Sequence, residues 1–139
     1  MSEPVVGILV GSESDRERMQ GALDELDKRG IAYEFDVRSA HRQPDAVAEY
    51  CRSARERGLQ VLICGAGLSA ALPGVAAAHT DLPVIGVPLR SSLSVLDGVD
   101  ALLAIAQMPP GVPVAAVGVD NARNAAVLAA RILDVGRRG

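Results

Sequence analysis

Aromatic side chains are scarce in these 139 residues: Tyr33, Phe35 and Tyr50 are the full set, and tryptophan is absent. A core must therefore be assembled from Val, Ile, Leu and Ala, which a 49% hydrophobic content supplies. Cysteine and histidine are limited to Cys51, Cys64, His41 and His79. That is too few for a disulfide framework or a four-thiolate metal site, and no close spacing among them suggests zinc. Lysine occurs once, at Lys28, and the formal charge of −3 comes without any Lys/Arg cluster, which argues against a nucleic-acid partner. Long apolar runs are missing too, because Gly and Pro break the longest low-charge stretch every few residues. No basic flank with an apolar run opens the chain, so neither a membrane span nor an address is read. A reduced, cytoplasmic enzyme or binding domain is the expectation.

Charge is short in one part of the chain. Residues 1–58 carry 21 of the 31 charged side chains, whereas residues 59–119 carry four: Asp81, Arg90, Asp97 and Asp100. A small protein rarely leaves so apolar a stretch in water, so burial against other subunits is suggested. A run of central strands beneath helices of small residues would give the same composition.

The apolar pattern alternates between short continuous runs and helical stripes. Val5–Val10 reads as a strand covered on both faces. Met19, Ala22, Leu23 and Leu26 form a stripe at i, i+3, i+4, i+7, within a helix from Arg16 to Arg29 that Gly30 ends. Ile31–Val37 is a second strand, and Pro44 opens a helix striped by Val47, Tyr50, Cys51 and Ala54 and ended by Gly58. Strand Gln60–Cys64, a small-residue helix over 69–78, strand Val84–Val87, a helix over 97–106, strand Val112–Gly118 and a helix from Asn121 to Leu133 follow. Asp120 is read as the N-cap of that last helix. Five strand–helix alternations with short links imply right-handed βαβ units. The expected fold is a single three-layer α/β domain over residues 1–139. Its five-stranded parallel sheet takes the flavodoxin-like order 2-1-3-4-5, with ligands beyond the carboxyl ends of the strands.

Three loops reach that end. Gly11-Ser12-Glu13-Ser14-Asp15 follows the first strand: a tight turn, two hydroxyls and a helix start suit a phosphomonoester, although Ser14 or Asp15 would serve equally as a cap. Ser39-Ala40-His41-Arg42 follows the second. Arginine can clamp phosphate bidentately, and histidine is the usual residue for moving a proton to and from carbon. Gly65-Ala66-Gly67-Leu68-Ser69-Ala70-Ala71-Leu72-Pro73-Gly74 follows the third. Its start fits G-x-G-x-x-A, but a nicotinamide fingerprint belongs after the first strand of its unit, with an acidic residue about 20 positions on. Asp81 is nearer than that and precedes Leu82-Pro83. The glycines read better as close backbone approach to a small ligand, or as close helix–sheet packing. A phosphoacceptor receiver domain would need a lysine after a late strand, and Lys28 lies in the first helix.

Taken together, these loops resemble the N5-carboxyaminoimidazole ribonucleotide mutases of de novo purine synthesis and the related aminoimidazole ribonucleotide carboxylases. The Gly-Ser-x-Ser-Asp, Ser-Ala-His-Arg and Gly-Ala-Gly…Leu-Pro-Gly elements carry the resemblance. So do Pro83-Val84-Ile85-Gly86-Val87-Pro88, Gln107-Met108-Pro109-Pro110-Gly111-Val112-Pro113-Val114 and Asn124-Ala125-Ala126, in order from about Val5 to Leu133. The resemblance implies a homo-octamer, a ribonucleotide substrate, and no metal or organic cofactor. It implies His41 as the proton-transfer residue. Ser12, Ser14, Asp15 and Arg42, with Ser39 beside them, would hold phosphate and ribose. Gly65, Ala66, Gly67 and Leu72 would line the imidazole and carboxylate end.

Two departures stand out. The mutase pattern has histidine where this chain has Ala71, and Leu68-Ser69 replaces Gly-Ala just before it. Ser91–Asp100 is also longer than the usual segment. His41 is untouched, so the reaction expected is conversion of N5-carboxyaminoimidazole ribonucleotide to 4-carboxy-5-aminoimidazole ribonucleotide. The alternatives are direct carboxylation with free CO2 and a relative acting on another ribonucleotide.

Overall fold

The computed structural model describes residues 3–138; residues 1, 2 and 139, the ends of the expected domain, lie outside them. Five parallel strands form one sheet in the order β2-β1-β3-β4-β5. They are β1 (Val6–Val10), β2 (Tyr33–Val37), β3 (Val61–Ala66), β4 (Val84–Pro88) and β5 (Ala115–Ala116). Between and after them come α1 (Gln20–Lys28), α2 (Pro44–Ser53), α3 (Ala71–Ala78), α4 (Val99–Ala106) and α5 (Ala122–Arg138). In register, Val6 of β1 faces Tyr33 of β2 on one side and Val61 of β3 on the other. The sheet order is the one expected from the alternation of strands and helices.

The period of two along the strands sorts the core into two layers. Val6, Ile8 and Val10 with Val61 and Ile63 face α1 and α5, whereas Leu9, Leu62 and Cys64 face α2, α3 and α4. Such double coverage is why these strands read as continuous apolar runs. α5 presents Ala122, Ala125, Ala126 and Ala129 to its layer, all but completely buried, a stripe of small residues that lets the helix lie close to sheet and α1. On the other face Gly86 makes room for α4, because a Cβ there would stand 2.5 Å from Ile105 Cγ2.

Several element ends differ from the expected ones. β5 has two residues rather than the seven of Val112–Gly118. Pro113 has no N–H to donate, and the Val112 amide turns back to the Pro109 carbonyl (3.2 Å) instead of entering the ladder. The first helix opens as two single 3-10 turns, Glu13–Asp15 and Glu17–Met19, before α1 begins at Gln20. α2 leaves α-helical geometry after Ser53, and the chain reaches Gly58 through turns. α3 starts at Ala71 and α4 at Val99, because Leu68, Ala70, Asp97 and Gly98 take left-handed backbone conformations that no helix continues. α5 is capped by Asn121, whose Oδ1 accepts the Asn124 amide (3.1 Å), and not by Asp120.

Candidate active site

The carboxyl ends of β1, β2 and β3 deliver three loops to one cleft of about 430 Å³, a volume typical of small-ligand sites. Gly11, Ser12 and Asp15 come from the first loop, Ser39, Ala40, His41 and Arg42 from the second, and Ala66, Gly67, Ala70, Ala71 and Leu72 from the third. The walls are unlike each other. Every hydroxyl and charge lies on the β1 and β2 side, and the β3 side is built from Gly, Ala and Leu alone.

Local hydrogen bonding sets these side chains in place. Ser12 is the cap of the first 3-10 turn: its Oγ accepts the Ser14 amide (3.3 Å) and lies 2.9 Å from Ser14 Oγ. The capping role considered for Ser14 and Asp15 thus falls to Ser12. Ser39 shapes the second turn, since its Oγ accepts the Arg42 amide (3.2 Å) and its carbonyl accepts the Gln43 amide (2.8 Å). His41 and Arg42 are exposed side chains projecting from that turn into the cleft. Asp15 is half-buried; burial pushes its carboxyl up, and the nearby Arg18 guanidinium pulls it part of the way back. In the third loop the left-handed conformations of Leu68 (φ 51°) and Ala70 (φ 47°) bring backbone to the cleft wall. Such conformations in residues with a Cβ cost about 1–2 kcal/mol each and persist where the surroundings fix them.

Two of the expected site residues lie elsewhere. Gly65 is buried within β3 and does not line the cleft; a Cβ on it would stand 2.6 Å from Met19 Sδ, so its smallness serves the packing of the first loop's helix. Ser14 lines a neighbouring cavity of about 570 Å³ with Asp15, Glu17, Arg18, Arg90, Ser91 and Ser92. Asp15 belongs to both. That second cavity went unread in the sequence because Arg18 and Arg90 are far apart along the chain and neither sits in a motif. The cysteines carry no nucleophile: burial pushes the Cys51 thiol up to about 11 and raises Cys64 well above its ordinary value. Among the described residues, no cluster of His, Cys, Asp and Glu could hold a metal ion, and no helix is long and apolar enough to cross a membrane.

A family model described as AIR carboxylase matches residues 5–138. The chain is 55% identical over 133 residues to a Bacillus subtilis protein named N5-carboxyaminoimidazole ribonucleotide mutase, spanning 94% of this chain and 81% of that one. It is 53% identical over 133 residues to the Schizosaccharomyces pombe phosphoribosylaminoimidazole carboxylase, spanning 96% of this chain and 24% of that longer protein. The crystal structure of Treponema denticola PurE superposes with a TM-score of 0.81 at 32% identity, over 95% of this chain and 81% of that one.

Proposed function

Because this chain belongs to the AIR carboxylase family, we propose that it is a carboxyl-transferring mutase of purine biosynthesis. It converts N5-carboxyaminoimidazole ribonucleotide to 4-carboxy-5-aminoimidazole ribonucleotide, with His41 moving the proton. The observation that carries this reading is the meeting of Ser12, Asp15, His41 and Arg42 with a wall of Gly, Ala and Leu in one cleft.

The chemistry divides along those two walls. Arg42 offers a planar fork of donors to the phosphate, with the hydroxyls of Ser12 and Ser39 beside it, and Asp15 accepts from the ribose hydroxyls. Ala66, Gly67, Ala70, Ala71 and Leu72 enclose the imidazole end. There the carbamate C–N bond breaks and leaves CO2 in a pocket with little to solvate it. C4 of the electron-rich imidazole then attacks the trapped CO2. Holding the two together replaces a bimolecular encounter by a positioned one. The nitrogen that loses CO2 needs one proton, and C4 must shed one. A single acid–base group therefore balances the reaction, and His41, the histidine lining the cleft, takes that role. No electrons are gained or lost overall.

A direct carboxylase is the second reading, favoured by Ala71 where the mutases have histidine and by the name of the S. pombe relative. Loss of one hydrogen bond typically costs about 1–3 kcal/mol, which slows a reaction without changing its type. Turnover of the carbamate substrate with free CO2 scavenged is expected. Turnover only from aminoimidazole ribonucleotide plus bicarbonate would make the chain a carboxylase.

The same proposal includes a homo-oligomer, an octamer by family likeness, acting in the cytoplasm. Supporting it are exposed apolar side chains on α4 and the segment before it: Leu93 (74% exposed), Val95 (86%), Leu96, Val99 and Leu103. So many large apolar side chains left exposed within one short stretch are unusual on a monomer's surface. Cys51 and Cys64 as free, buried thiols are consistent with a reducing compartment. Light scattering at micromolar concentration should report several chains per particle; a 14.4 kDa monomer would contradict the assembly.

A further inference from the structure

Asp120 sits where neither helix capping nor backbone comfort explains it. It precedes α5, but Asn121 performs the cap. Its φ of +58° lies in the left-handed region, which residues with a Cβ enter rarely, Asp and Asn more readily than the rest. Interactions on every side of it hold that conformation. Its amide donates to the Pro88 carbonyl at the end of β4 (2.8 Å), and its Oδ1 accepts the Arg90 amide (3.0 Å). The same carboxylate lies 3.5 Å from an Arg18 guanidinium nitrogen and 3.8 Å from one of Arg90. Arg90 also reaches Asp97 at 3.4 Å. Arg18 and Arg90 both line the cavity that shares Asp15 with the nucleotide cleft, and both guanidinium groups lie within ion-pair distance of Asp120.

Arg18 follows Asp15 by three residues and lines the same cavity, yet Asp15 has no ion-pair partner among the described residues. A half-buried carboxylate with a guanidinium so close would ordinarily attract it. Here the competing carboxylate of Asp120 has it instead. An Asp15 paired internally would meet a ligand's hydroxyls with its oxygens already occupied, and binding would first have to break the pair.

We propose that Asp120 is a positioning residue for the nucleotide cleft: it holds Arg18 off Asp15 and so keeps the Asp15 carboxylate available to the ribose hydroxyls. The inference rests on the ribonucleotide reading of the cleft. It assigns Arg18 no contact with substrate, and it makes the two residues antagonists whose effects cancel.

The test is calorimetric titration with aminoimidazole ribonucleotide, using D120N, R18Q and the double variant. Asparagine tolerates the left-handed backbone and still accepts the Arg90 amide, so D120N removes the charge while sparing the turn. D120N should bind about three- to fivefold more weakly, the fold-change of an exposed ion pair gained by Asp15. R18Q should bind as the wild type does. D120N/R18Q should recover wild-type affinity, because no guanidinium remains to close on Asp15. In turnover assays D120N should raise KM with kcat within about twofold, the mark of lost ground-state binding. Unchanged affinity in D120N, or a double variant as weak as D120N, overturns the inference and leaves the ribonucleotide reading standing. A wild type that fails to bind the ribonucleotide overturns both.

Discussion

Replacing His41 by asparagine should lower kcat at least about 100-fold while leaving ribonucleotide affinity close to that of the wild type. General acid–base groups contribute on the order of 10²- to 10⁴-fold, and the other polar side chains lining the cleft are hydroxyls, a carboxylate and a guanidinium. Serine hydroxyls are too weakly acidic and basic for the task, and a guanidinium side chain is a donor with no lone pair to accept a proton. Asp15 is the one group able to substitute, and it lies on the first loop rather than in the Ser39–Arg42 turn. Asparagine keeps a polar side chain of similar reach, so the turn held by Ser39 Oγ and the Arg42 amide should survive. Turnover measured at saturating substrate checks this, and near-normal kcat would remove His41 from the chemistry.

Arg42→Ala should produce the second large effect, on binding rather than on the proton. A charge-assisted, bidentate contact to phosphate is worth about 1.5–3 kcal/mol, so ribonucleotide affinity should fall about 10- to 100-fold. The phosphate-free nucleoside should bind wild type and variant almost equally. Equal losses for the two ligands would show that Arg42 supports the cleft and does not hold the phosphate. Because the Arg42 amide, and not its side chain, bonds Ser39, truncation should leave the turn folded.

The layers of the fold were legible because both signals that define them are local. Val6, Ile8 and Val10 alternate with Gly7 and Leu9 across a doubly covered strand, and the α1 and α2 stripes sit at helical spacing on their inner faces. The meeting of the three loops followed from the sheet order, since adjacent strands end side by side. What stayed hidden depends on contacts distant in sequence or on backbone geometry. Gly65 looks like a ligand-facing glycine until Met19 is seen packed against it. Asp120 and Asn121 are both good capping residues, and only the left-handed turn at Asp120 decides which of them caps. The Arg18–Asp120–Arg90 cluster joins three segments that no motif links. The shortness of β5 was visible in principle: Pro113 marks a place where the ladder loses a donor.

The departure at Ala71 takes on a concrete meaning in the structure. That position lines the cleft on its apolar wall, so a methyl stands where the resemblance implies an imidazole. The cleft is left with one histidine.

A crystal structure of the chain with aminoimidazole ribonucleotide bound tests the central claim most directly. The predicted result has the phosphate on Arg42 and Ser12, the ribose on Asp15, and the imidazole between His41 and Ala70-Ala71. Ligand seated instead in the open depression over α2, among Glu49, Arg52 and His79, would contradict it.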